Sequence, residues 1–343
     1  MVERVRLNDD DGDQPVGNYF VQDKTDLDFI HSGATVLDCT VGGGWPLTRI
    51  ANIIGDESTG KSLLAIEACA NFNRQYEKGL MFYRESESAF DDNYAAALGM
   101  PVDKVEFIEP DKFVTIEDFY EDLNDCADKC IRREVPGVYI LDSLDAMTSK
   151  EELERKFGEA SYSMERAKQM GKLFRLLKAK VREANMCLII ISQTRDKINA
   201  TMFGKKKTRS GGRALDFFAS QCLWLSHLDT INTTRGEVKR ATGIRIRAKC
   251  EKNKISLPYR TCEFTITFGH GINSLASSLD FLEDAKCLSD VTPLKRSAYN
   301  KTVSEMDDDA YWQENDRVSE IVKSVWRDID ERMMEGVRVK YRS

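Results

Sequence analysis

The run Gly55-Asp56-Glu57-Ser58-Thr59-Gly60-Lys61-Ser62 constrains this chain more than any other stretch. It fits the pattern GxxxxGK[S/T] in full. Such a loop works between a strand and a helix, where backbone amides and the helix N-terminus converge on phosphate oxygens. The flanks comply: residues 49–54 read as an apolar strand and 61–74 as a helix. All eight residues, Gly55 to Ser62, are therefore candidates for nucleotide phosphates. Lys61 suits the β- and γ-phosphates, and the Ser62 hydroxyl suits Mg²⁺.

A strand–loop–helix start of this kind belongs in an α/β fold, and the rest of the chain agrees. Further strands are expected at 79–84, 105–108, 138–142 and 186–192, with helices at 61–74, 116–133 and 164–184 between them. Near-continuous apolar strands alternating with helices imply a mostly parallel sheet covered on both faces. After Ser220 the alternation stops. Residues 221–226, 243–250 and 262–268 read as strands without intervening helices, so an antiparallel extension is expected. A polar stretch at 290–309, containing Pro293, precedes a helical 312–334. The expected organisation is a polar arm at 1–32, an α/β core at 33–289 and a small helical region at 290–343.

Composition sets limits on function. With 343 residues and 41% hydrophobic content, the chain can bury a large core. The net charge of -7 argues against a surface that is basic throughout, so any polyanion partner must meet a local patch. The N-terminus shows no apolar targeting segment, and the longest apolar runs are too short to span a bilayer, which points to the cytoplasm. Nine cysteines without CxxC spacing argue against a disulfide framework or a zinc ribbon. Cys126 and Cys130 continue the helical stripe of Ile116, Phe119 and Leu123 and read as buried thiols.

Two carboxylate elements complete a candidate ATP site. The apolar run 138–142 ends in Asp142, placed to hold Mg²⁺ or its water. Just past the second strand stand Glu85 and Glu87, either of which could polarise an attacking water; spacing alone does not separate them. A second constellation is basic. Arg195, Lys197, Lys205, Lys206, Lys207, Arg209 and Arg213 share one stretch with Gly211 and Gly212, and Asp196 is its only acid. Such a loop can neutralise nucleic-acid phosphates in an acidic protein, although a solvated loop has the same composition.

These pieces together resemble the bacterial RecA recombinases. The resemblance rests on Gly42-Gly43-Gly44-Trp45 leading into the phosphate loop, on 88–99, on 189–195, on 202–220, and on Lys249 to Asn273 with its Phe268-Gly269-His270-Gly271 turn. It implies a RecA-type ATPase core, ATP and Mg²⁺ as cofactors, and assembly into a helical homo-oligomer on single-stranded DNA that also engages double-stranded DNA. Homologous pairing and strand exchange in recombination and repair would be the outcome. Residue by residue, it selects Glu87 over Glu85 as the water-activating group. It assigns Asp91 and Tyr94 to the adenine pocket, and Gln193 to sensing the γ-phosphate. Lys252 and Lys254 would reach the neighbouring subunit's ATP, and Lys168 and Arg175 would join the basic stretch at DNA.

The sequence also departs from that family. Asp216 stands where a basic residue is usual, Arg213 where a small polar one is, and 18–21 (Asn-Tyr-Phe-Val) offers a short strand where the family carries an amphipathic helix. A compact form of this kind suits a bacteriophage-encoded recombinase. Two other functions share the core: a hexameric DNA helicase, which needs an arginine finger and a ring-forming domain, and an ATP-binding recombination mediator without strand exchange of its own. The presence of both Glu87 and Gln193 argues for a hydrolytic protein.

Overall fold

The computed structural model describes residues 27–86, 90–109, 112–154, 163–196, 207–209 and 212–335. The chain enters through β1 (Phe29–Ile30), α1 (Thr35–Val41) and β2 (Trp45–Pro46), the two strands forming an antiparallel ribbon. The α/β part then runs β3 (Ile50–Gly55), α2 (Lys61–Gln75), β4 (Leu80–Glu85), α3 (Asp92–Ala97), β5 (Val105–Phe107), α4 (Ile116–Arg133), β6 (Gly137–Asp142), α5 (Lys150–Glu154), α6 (Ser163–Glu183) and β7 (Met186–Asp196). It continues through β8 (Lys207–Arg209), α7 (Gly212–Phe218), β9 (Gln221–Arg235), β10 (Val238–Asn253), β11 (Arg260–Thr267) and β12 (Gly271–Asn273). The helices α8 (Ser274–Asp284), α9 (Arg296–Ser304) and α10 (Asp308–Met334) follow.

One sheet organises the molecule, in the order β12-β11-β10-β9-β3-β7-β6-β4-β5, with β8 paired to the far end of β7. The strands from β9 to β5 are mutually parallel, and β10, β11 and β12 continue the sheet beyond β9, each antiparallel to the strand before it. This is the mostly parallel sheet with an antiparallel extension that the sequence leads one to expect.

The period of two along each central strand divides the core into two layers. Ala51 and Ile53 of β3, Val138 and Ile140 of β6, and Cys187, Ile189 and Ile191 of β7 face the layer holding α1, α2, α8 and α10. Their neighbours Ile50, Ile54, Tyr139, Leu141, Leu188 and Ile190 face α4, α6 and α7. Helix α4 answers with Phe119, Leu123, Cys126, Ala127 and Cys130, all buried, behind a capping box between Thr115 and Asp118. Burial pushes the Cys126 and Cys130 thiols up to about 12, as expected of inert core sulfur.

Two regions differ in extent from the sequence reading. The β9–β10 hairpin pairs from Gln221↔Asn253 out to Arg235↔Val238, far beyond residues 221–226 and 243–250. Its outer half is exposed on both faces, so no apolar alternation marks it. Helix α10 starts at Asp308, capped by the Asp307 carboxylate on the Ala310 amide. Its buried Val318, Val322 and Val325 join the same apolar layer as α1 and α8, and Ser319 Oγ meets Thr35 Oγ1 at 2.8 Å.

Candidate nucleotide site and its outlet

The phosphate loop leaves the C-terminal end of β3, whose six residues are all buried. Gly60 takes a left-handed φ of 82°, and a Cβ there would lie 2.5 Å from Ile266 of β11, so glycine is required by conformation and by space. Lys61 opens α2 and is 8% exposed; its ammonium donates to the Asp56 carbonyl at 2.6 Å. Thr59 Oγ1 donates to that same carbonyl at 2.8 Å. Ser62 is exposed at the first turn of α2, a helix of 15 residues whose N-terminal amides favour an anion.

Strand register brings the remaining groups to this edge of the sheet. Gly55 is paired with Gln193 of β7, and Glu85 of β4 is paired with Asp142 of β6. Ligands of open α/β sheets gather at such C-terminal strand ends. Asp142 is 9% exposed, and its Oδ2 accepts a hydrogen bond from Tyr83 Oη at 2.8 Å. Burial and the Asp142 charge push the Tyr83 phenol well above its usual range, so it stays a donor. Ser86 then latches the two outlets together: its amide donates to the Asp142 carbonyl at 2.8 Å and its hydroxyl to the Ser143 carbonyl at 2.9 Å. Glu87 follows directly and lies outside the described residues.

Sequence reasoning missed Tyr83, which orients the acidic strand end, and Asp145, whose Oδ2 accepts the Gln193 amide at 2.7 Å. No periodicity marks either. The adenine-side candidates are adjacent in a different sense: Asp91 caps α3 by accepting the Asn93 and Tyr94 amides at 2.9 and 3.0 Å, so it fixes the turn that presents Tyr94. The Tyr94 ring is 41% exposed, as a stacking face must be. A second exposed aromatic, Phe268, follows β11 just past Ile266, the residue packed at Gly60.

Among the described residues, no group of three or more His, Cys, Asp and Glu could hold a metal ion. The Ser62 hydroxyl and the Asp142 carboxylate offer oxygen ligands of the kind Mg²⁺ takes when a phosphate completes its shell.

Lys252 and Lys254 gather at the C-terminal end of α7. Lys252 Nζ donates to the carbonyls of Asp216 and Phe217, the latter at 3.0 Å, and Lys254 Nζ donates to Phe217 at 2.9 Å. Burial and the Lys254 charge push the Lys252 ammonium down to about 8. Phe217 itself is 70% exposed.

The basic candidates divide. Lys168 and Arg175 are exposed on α6, and Lys172, Lys178 and Arg182 extend them into one exposed stripe at helical spacing. Arg195 and Lys207 belong to the paired backbones of β7 and β8, and Gly212 and Arg213 open α7. Lys197, Lys205, Lys206 and Gly211 lie outside the described residues. Arg209 is placed differently from its basic neighbours: it is 6% exposed and its guanidinium meets Asp216 at 2.5 Å. The acid at 216, noted as a departure from the family, supplies the partner that turns it away from solvent.

The comparisons with known proteins agree with this architecture. A family model described as the RecA N-terminal domain matches residues 7–273. The chain is 31% identical over 308 residues to Protein RecA of Crocosphaera subtropica, covering 88% of this chain and 83% of that protein. It is 33% identical over 258 residues to Protein RecA of Nostoc punctiforme, covering 75% and 68%. Against Protein RecA of Clostridioides difficile it is 33% identical over 259 residues, covering 75% and 70%.

Proposed function

The chain belongs to the RecA family, and on that premise we propose that it is a DNA-dependent ATPase that assembles on single-stranded DNA and promotes homologous pairing and strand exchange. The observation that carries this reading is a single register. Gly55 at the phosphate loop pairs with Gln193, and the strand bearing Gln193 runs on into the ribbon at the base of the basic stretch.

In the reaction, Gly55 to Ser62 cradle the phosphates of ATP, and Lys61 leaves the Asp56 carbonyl to meet the β- and γ-phosphates. Ser62 and Asp142 would hold Mg²⁺, which would supply charge neutralisation at those oxygens. Glu87 polarises the attacking water, and Gln193 reads the γ-phosphate. Tyr94, set by Asp91, stacks on the base. Lys252 and Lys254 reach an ATP bound by the adjacent subunit, which makes nucleotide binding and filament assembly one event. The DNA-binding set comprises Lys168, Arg175, Arg195, Lys197, Lys205, Lys206, Lys207 and Arg213, with Gly211 and Gly212 permitting close approach. The ATPase unit is assigned to 33–289, flanked by the arm at 1–32 and the helical region at 290–343. Among the described residues, no helix is long and apolar enough to cross a membrane.

The deciding experiment is ATP hydrolysis by the purified protein with and without single-stranded DNA, beside a Glu87→Gln variant. DNA stimulation that disappears in the variant supports the coupled ATPase. Tight ATP binding without DNA stimulation overturns it in favour of a mediator.

A further inference from the structure

We infer that the hydrogen bond between Asp56 and Thr194 couples phosphate binding to the strand ribbon β7–β8, making this pair a positioning device within the ATPase proposed above. The inference rests on that reading and adds to it two residues with a linked role.

Asp56 faces two ways. Its carbonyl accepts the Lys61 ammonium at 2.6 Å and the Thr59 hydroxyl at 2.8 Å. Its carboxylate accepts the hydroxyl of Thr194. One residue of the phosphate loop thus touches both the lysine that must meet the nucleotide and the strand position immediately after Gln193.

Thr194 is well placed to pass on a displacement. In the β7–β8 ribbon it stands opposite Arg209. The Arg209 guanidinium is anchored to Asp216 on α7, and the C-terminal carbonyls of α7 hold Lys252 and Lys254. Behind Thr194, the Gln193 amide is pinned by Asp145 at 2.7 Å, so the strand has a fixed point on one side and the Asp56 link on the other. The physical trigger is the lysine. When Lys61 turns to phosphate, the Asp56 carbonyl loses a charge-assisted donor, and the peptide carrying the Asp56 carboxylate settles against new partners. Two arrangements of Lys61 therefore mean two positions for the group that holds Thr194.

A chain of contacts alone does not establish coupling, whereas a double-mutant cycle does. The protein would be assayed for ATP affinity, for hydrolysis without DNA, and for the increment produced by single-stranded DNA. Thr194→Val removes the hydroxyl at nearly constant shape, and Thr194→Ser restores it. We expect Thr194→Val to leave ATP affinity and DNA-free hydrolysis within about twofold while lowering the DNA-dependent increment about tenfold, the scale of one hydrogen bond to a charged group. Thr194→Ser should recover most of that increment. Because both residues act through one bond, adding Thr194→Val to Asp56→Asn should cost little beyond Asp56→Asn alone.

Full DNA stimulation in Thr194→Val overturns the inference, as do additive losses in the cycle. An equal fall in DNA-free hydrolysis also overturns it, since the bond would then only brace the loop. Wild-type protein without any DNA stimulation removes the proposed function itself, a result distinct from all of these.

Discussion

Tyr83 Oη lies 2.8 Å from Oδ2 of Asp142, so a residue in the middle of β4 fixes the acidic end of the neighbouring β6. The carboxylate is nearly buried. Removing the phenol hydroxyl leaves Asp142 less well aimed without removing its charge. Tyr83→Phe is expected to raise the Mg²⁺ concentration for half-maximal hydrolysis several-fold, with a smaller change in the maximal rate. Asp142→Asn should lower the maximal rate about a hundredfold, because it removes charge at the proposed metal position. Titrating Mg²⁺ at saturating ATP checks both. Equal behaviour of Tyr83→Phe and wild type would show that the bond has no orienting role.

Lys252 carries the pH prediction. Its ammonium is pushed down to about 8 by burial and by Lys254, while it donates to the carbonyls at the end of α7. In the proposed assembly, a polyphosphate brought by a neighbouring subunit would favour the charged form, so ATP-dependent assembly would take up protons when pH is near or above 8. Assembly followed by light scattering should therefore weaken several-fold between about pH 7 and 9, where a group of this pKa loses most of its charge. Lys252→Arg keeps the charge throughout and should flatten that dependence.

Legibility followed contiguity. The phosphate loop, the strand ending in Asp142 and the strand of Gln193 were readable because each is a local apolar pattern with one chemical residue at its end. Their mutual register was not written in any one of them: that Gly55 meets Gln193 and Glu85 meets Asp142 depends on the strand order. The outer half of the β9–β10 hairpin was invisible for a different reason, since exposure on both faces erases alternation. The burial of Arg209 is not legible in the sequence, because a cation in a basic stretch looks solvated until Asp216, seven residues on, is seen beside it. Lys252 and Lys254 likewise show their α7 partners only in three dimensions.

The inward Arg209 separates it from its neighbours in a measurable way. Each cation that neutralises a phosphate adds about 0.7 to the slope of log affinity against log salt for a single strand. Lys206→Ala should therefore lower that slope by roughly this amount across DNA sequences. Arg209→Met should leave the slope unchanged, because its guanidinium is directed to Asp216 rather than to solvent. A slope change in Arg209→Met equal to that in Lys206→Ala would return Arg209 to the DNA surface.

Glu67 gives a stability test outside the reacting groups. It lies on α2 with its Oε1 accepting the Ile272 amide at 2.6 Å, crowded by the backbones of Gly33 and Gly271, where an added Cβ would clash with its carboxylate oxygens. Burial raises it from 4.5 to about 7, against the opposing pull of that amide and of Arg74. The folded state therefore binds more protons than the unfolded state between about pH 4.5 and 7. The stability contributed by the neutral carboxyl is complete below about 4.5 and is lost as pH rises through about 7. Glu67→Gln keeps the acceptor for Ile272 and removes the charge. At one pKa unit per 1.36 kcal/mol, and allowing for the solvent that still reaches this half-buried group, the variant should gain about 1–2 kcal/mol at pH 8. At pH 4 it should match wild type, both read from chemical denaturation midpoints. A variant less stable at pH 8 than wild type would mean that the ionised carboxylate is stabilised by its surroundings and that the burial cost has been overstated.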